Sequence, residues 1–91
     1  MTAENIREVT ARYRETFAVL KLTPVRQPAD VEPGPTMVQA LEHCYAMLAE
    51  IDRFAREGRM DKAFRWLGFV QGCLWACGIY TVQELKEHNS P

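Results

Sequence analysis

Trp66-Leu-Gly-Phe-Val-Gln-Gly-Cys-Leu-Trp-Ala-Cys77 is the stretch on which the fold turns. Wound as a helix, it places apolar or small residues in nearly every direction, and only Gln71 interrupts it. Such a helix is expected to be buried on more than one side. Gly68, Gly72 and Ala76 recur every fourth residue, forming a row of small side chains that another helix can approach closely. The row suits either packing within one chain or a seam between copies of it. The seam is the sharper reading, because one neighbouring helix cannot cover Trp66, Phe69, Val70 and Trp75 together. Left exposed, they form an apolar patch of the kind that marks an interface. The expected interface residues are therefore Trp66, Gly68, Phe69, Gly72, Trp75 and Ala76. A buried Gln71 must also find hydrogen-bond partners. Three are open to it: a backbone carbonyl, the same residue across a two-fold axis, or a ligand in a cavity lined by the tryptophans.

Outward from this stretch, the helix extends back to about Met60 and is closed by Gly78. Before it, Leu41, Cys44, Leu48, Ile51 and Ala55 mark a helical stripe, widened by Tyr45, Met47 and Phe54. Thr36-Met-Val-Gln39 has the spacing of a capping box, and Gly58 supplies a left-handed stop, so this helix spans about Met37 to Glu57. The very short turn between the two predicts an antiparallel hairpin. Thr81-Val-Gln-Glu84 is a second capping box, with Tyr80 and Leu85 as a hydrophobic staple, and opens a short helix over about Val82 to His88.

At the other end, Ile6, Val9, Tyr13, Phe17 and Leu20 follow helical spacing from about Thr2, the expected N-cap, to Leu22. Between this helix and the hairpin, Pro24, Pro28, Pro33 and Pro35 exclude helix from residues 23 to 35. A connection of that length either crosses the surface in an extended path or carries the first helix to a neighbouring subunit. The expected class is all-α and a single domain over residues 1–91. It comprises an N-terminal helix (1–22), a proline-rich linker (23–35), and a helical hairpin with a short C-terminal helix (36–91), assembled as an oligomeric helical bundle.

Composition narrows the function. Eleven basic against twelve acidic residues leave a formal charge of -1, which gives no general attraction to nucleic acid or an anionic membrane. No apolar run approaches the length of a membrane span, and the polar, acidic start has no signal-like segment. Cys44, Cys73 and Cys77 are an odd set in apolar surroundings, as expected for reduced thiols in a cytoplasm. Cys73 and Cys77 lie one helical turn apart, with His43 on the preceding helix, but they lack the close pair on a turn that structural zinc prefers and read as small buried hydrophobes. Neither His43 nor His88 is tied to a thiol by a local signature, so no catalytic residue, metal site or cofactor is expected. Glu42, Glu50, Asp52 and Glu57 read most simply as solvating charges.

Two basic groupings are candidates for an anionic ligand. Arg53, Arg56, Arg59, Lys62 and Arg65 recur every third residue across the hairpin turn, beside the free N–H groups that begin the next helix. The plainer reading is dipole complementation at the end of one helix, with Asp52, Glu57 and Asp61 neutralising the cations. Arg7, Arg14 and Lys21, spaced by seven beside Tyr13 and leading to Arg26, form the second grouping. Glu4, Glu8 and Glu15 interleave with these cations, so here too the plainer reading, a solvated and ion-paired face, is the preferred one.

The stretch Lys62–Asn89, in Trp66-Leu-Gly-Phe-Val-Gln-Gly72 and Glu84-Leu-Lys-Glu-His-Asn89, resembles a group of small, largely uncharacterised accessory proteins of tailed bacteriophages. The resemblance covers about the last third of the chain and carries no catalytic residue with it. By analogy with phage accessory proteins it implies a non-enzymatic homo-oligomer in the host cytoplasm, acting in counter-defence by sequestering an anionic nucleotide signal such as a cyclic nucleotide. The alternative is a stoichiometric inhibitor of a host or phage protein. A small transcriptional regulator is a weaker alternative, since no recognition helix of the helix-turn-helix kind is evident.

Overall fold

Three threonines start three of the four helices. In the computed structural model, which describes residues 1–30 and 33–90, the helices are α1 (Ala3–Val19), α2 (Met37–Arg56), α3 (Met60–Ala76) and α4 (Val82–Asn89). Thr2, Thr36 and Thr81 each accept a hydrogen bond from the backbone N–H three residues on. The side chains of Asn5, Gln39 and Glu84 return the contact, closing three capping boxes. The box at Thr2 has Asn5 as its partner, a role that the sequence reading did not assign. α3 starts at Arg59 without a side-chain cap, because the chain reaches it straight from the stop of α2. There Gly58 takes a φ of 76°, and Arg59 donates back to the Phe54 carbonyl at 2.8 Å.

α1 ends three residues earlier than its periodicity suggests. Lys21 adopts the left-handed conformation at φ 59°, and the Leu22 N–H bonds the Phe17 carbonyl at 3.1 Å, turning the chain off the helix axis. Leu20, expected on the buried stripe, is consequently exposed, whereas Ile6, Val9, Tyr13 and Phe17 are buried as the spacing predicts.

α2 is the central element. It packs on α1 along one flank and on α3 along another, and α4 packs on α1. Leu41, Cys44, Met47, Leu48, Ile51, Phe54 and Ala55 of α2 meet Ala63, Leu67, Val70 and Leu74 of α3 in one core with the α1 stripe. Phe17 stacks on Tyr45 with ring centroids 5.2 Å apart, and Trp66 meets Phe54 edge-on at 5.0 Å. The hairpin, the N-terminal helix and the short C-terminal helix of the all-α reading are thus present. No helix among the described residues is long and apolar enough to cross a membrane.

The first part of the linker, residues 23–27, runs along the surface of α2, and α1 packs on α2 of its own chain. Thr23 donates through its backbone N–H and its hydroxyl to the Glu42 carboxylate, at 2.9 and 3.0 Å. Val25 N–H reaches the Glu42 carbonyl, and Gln27 N–H reaches Nδ1 of His43 at 2.9 Å. Asp52 likewise anchors an element: it accepts from Thr10 Oγ1 at 2.6 Å and from the Arg14 guanidinium, joining α1 to α2. Glu42 and Asp52 are therefore tethers, where the sequence reading had them as solvating charges.

Gln71 corrects another expectation. Its partners are two side chains of its own molecule. Its Nε2 donates to the Tyr13 hydroxyl at 3.0 Å and to Asn89 Oδ1 at 2.7 Å, and its Oε1 accepts from Asn89 Nδ2 at 3.1 Å. The Tyr13 hydroxyl also hydrogen-bonds Nδ1 of His88 at 2.9 Å. One partly buried network therefore ties α1, α3 and α4 together, and no polar side-chain atom buried among the described residues lacks a partner.

Candidate functional site

α3 is buried along one face only. Ala63, Leu67, Val70, Gln71 and Leu74 face the core, while Phe64, Phe69 and Trp75 are 38%, 55% and 58% exposed, and Gly68, Gly72 and Ala76 lie open between them. A Cβ built on Gly68 or Gly72 meets no atom within 4 Å. No helix of the same chain fills the small-residue row, because α1 uses the far flank of α2. Trp66 does not share this face. It is half-buried against Phe54, turned toward the linker.

Four members of the first basic grouping assemble, Arg53, Arg59 and Lys62 at Phe54 and Arg65 beside Arg59 and Lys62. The charged ends of Arg53, Arg59 and Lys62 lie 5.0, 5.1 and 4.8 Å from the centre of the Phe54 ring. Arg53 pairs with Glu50 at 3.2 Å and with Glu57 at 3.5 Å, and Arg59 reaches Glu57 at 3.9 Å. No carboxylate among the described residues lies within 4 Å of the cationic groups of Arg56, Lys62 or Arg65. An open hollow of about 410 Å³ runs over Gly58, Arg59, Asp61, Lys62 and Arg65 at the start of α3.

The second grouping is dispersed. Tyr13 is fully buried, and Arg14, held by Asp52, shares an open hollow with Arg7, Glu4 and Glu8, while the remaining two members lie elsewhere. Lys21 projects from the end of α1. Arg26 is carried by the linker to the opposite side of α2, where its guanidinium sits 5.5 Å from the centre of the Trp66 ring. Lys62 approaches the same ring at 5.9 Å. One member of each grouping thus meets at Trp66, and a ridge of cations on aromatic rings runs from Arg53 and Arg59 at Phe54, through Lys62, to Arg26.

Where that ridge ends, described linker residues and the hairpin border a half-open hollow of about 590 Å³. The linker contributes Arg26, Gln27, Pro28, Ala29 and Pro35. α2 contributes Ala40, His43 and Met47, and α3 contributes Trp66, Phe69 and Cys73. Most of this wall is apolar. His43 is fixed by Gln27, whose N–H donates to Nδ1, and it meets Phe69 edge-on at 6.4 Å. Burial, and then the positive field of Arg26, hold the His43 pKa below its ordinary value, so the ring is neutral at pH 7. With Nδ1 accepting, the ring proton resides on Nε2.

Burial, aided by Cys73, pushes the Cys44 thiol well above its usual range, and burial does the same for Cys77. Neither is an activated nucleophile. Among the described residues no three metal-binding side chains gather. Sequence reasoning had not assigned His43, Pro28, Pro35 or Cys73 to a ligand site. The prolines were legible as breaks in helix, whereas their return onto α3 depends on contacts spanning tens of residues. Compared with known proteins, the chain matches no family model, no curated protein and no solved structure.

Proposed function

We propose that the protein is a non-enzymatic binding protein that sequesters an anionic nucleotide, working as an assembly of identical subunits. The observation that carries the ligand class is the ridge of Arg53, Arg59, Lys62 and Arg26 on the Phe54 and Trp66 rings. Cations alone attract any anion; Phe54 lies in the core beneath its cations, and the half-buried Trp66 ring between Lys62 and Arg26 is the aromatic surface that favours an anion also bearing a flat base. The resemblance of the C-terminal third suggests the setting, counter-defence by a phage in its host's cytoplasm. Native mass spectrometry of gently purified protein, followed by titration with mono- and cyclic nucleotides, tests the reading. Retained nucleotide mass, lost in an Arg59→Glu/Lys62→Glu variant, is the expected result. Nucleotide affinity that survives charge reversal along the ridge would overturn it.

Self-association rests on the open face of α3. Two copies crossing antiparallel about Val70 would set Gly68 against Gly72, Phe64 against Ala76 and Arg65 over Trp75. Large residues then meet small ones and a cation meets an indole. Light scattering is expected to give a mass above that of one chain, reduced to a single chain in Gly72→Glu. A wild-type monomer at tens of micromolar would leave Phe69 and Trp75 for a different protein. That outcome favours the second reading, a stoichiometric inhibitor.

A further inference from the structure

We infer that the hollow between the proline-rich linker and the α2–α3 hairpin is a binding pocket for a flat ring bearing an acidic group, the ring lodged among Trp66, Phe69 and the linker prolines and the acid held at Arg26. Its volume of about 590 Å³ falls in the range of small-molecule pockets, roughly 300–1,000 Å³. Its composition is also that of such a site, with apolar walls from three segments and few polar groups. Trp66 and Phe69 are close enough in α3 to share one side of the hollow, and Pro28 and Pro35 come from the linker. Aromatic and proline faces are surfaces against which a ring stacks.

Two polar groups set the ligand's orientation. Arg26 belongs to the hollow and has Glu50 as its ion-pair partner at 3.7 Å, an exposed contact that an incoming acid can displace or share. His43 spends Nδ1 on the linker, which leaves Nε2–H as a neutral donor for an acceptor on the ring. The same hydrogen bond from Gln27 holds the linker against α2, so the group that shapes the wall also fixes the donor. The inference rests on the sequestration reading for its ligand class. It goes further in placing the ring in the half-open hollow where the ridge ends at Arg26 and Trp66, away from the hairpin turn.

The test uses Trp75→Phe, in which Trp66 is the one remaining tryptophan, so its fluorescence reports on the pocket. Adenosine monophosphate, phenyl phosphate and neutral adenosine are the probes. Saturable quenching by either phosphate, with adenosine weaker by about tenfold or more, is the expected result. Adenosine monophosphate outcompeting phenyl phosphate names a nucleotide, and the reverse order names a smaller aryl acid. Arg26→Gln, at an exposed position, is expected to weaken the phosphates about tenfold and leave adenosine unchanged. Ala40→Phe, checked for helicity, fills the hollow and is expected to abolish quenching by all three. Absence of saturable quenching by either phosphate at millimolar concentration overturns the pocket. Affinity lowered by Lys62→Glu but unmoved by Ala40→Phe also overturns it, while leaving the ridge reading intact.

Discussion

Lys21 holds a left-handed conformation at φ 59° in the turn where α1 ends, a position at which glycine is the usual occupant. A side chain there costs about 1 kcal/mol or more. Lys21→Gly is therefore expected to stabilise the fold by about 1 kcal/mol, read as a higher urea midpoint at unchanged slope. Within the same bundle, Nδ1 of His88 hydrogen-bonds the Tyr13 hydroxyl. Burial, and then Arg12, hold His88 below its ordinary 6.5 against the opposing pull of Glu84 and Glu87; burial, and then Arg26, do the same for His43. A histidine of this kind binds its proton more readily when unfolded. Its contribution is whole above about pH 6.5 and is lost as the pH falls from there through the lower folded value. On the alkaline side Cys44 is held above its ordinary 9.0, and burial pushes Tyr13 up to about 12. Stability must then fall once the pH passes 9.0. Thermal melting is expected to show a plateau between about pH 6.5 and 9; a melting temperature still climbing from neutrality to pH 8.5 would contradict it.

α4 is the smallest helix and depends on its ends. Thr81→Ala breaks its capping box and is expected to cost about 1 kcal/mol, with faster hydrogen exchange concentrated between residues 82 and 89. Thr81 and Glu84 were readable as a cap because their chemistry spans three residues, and the same holds at Thr36 and Gln39. The stripe of α2 and the stop at Gly58 were legible for the same local reason. The linker's path was not, since it is fixed by Glu42 and His43, whose pairing with Thr23 and Gln27 spans 19 and 16 residues. α3 shows the opposite case. Its sequence is apolar all round, yet its neighbours cover one face, because periodicity records which sides of a helix avoid water without saying whether the cover lies in the same chain.

Across the whole molecule, α1 is joined to α2 through a long linker, so its placement rests on contacts remote in sequence. Asp52 is central among them, receiving Thr10 and Arg14 from across 42 and 38 residues. Asp52→Ala leaves the buried Thr10 hydroxyl with only the Arg7 carbonyl, and is expected to cost about 1–2 kcal/mol and to loosen α1 in hydrogen exchange before the hairpin. The three thiols sit at graded depth: Cys44 is sealed in the core, while Cys73 on the pocket wall and Cys77 at the end of α3 are half-buried. The chain thereby carries its own set of clocks. A thiol reagent should mark Cys73 and Cys77 promptly and Cys44 only as often as the core opens, so one labelling time course separates local breathing from complete unfolding without any engineered residue.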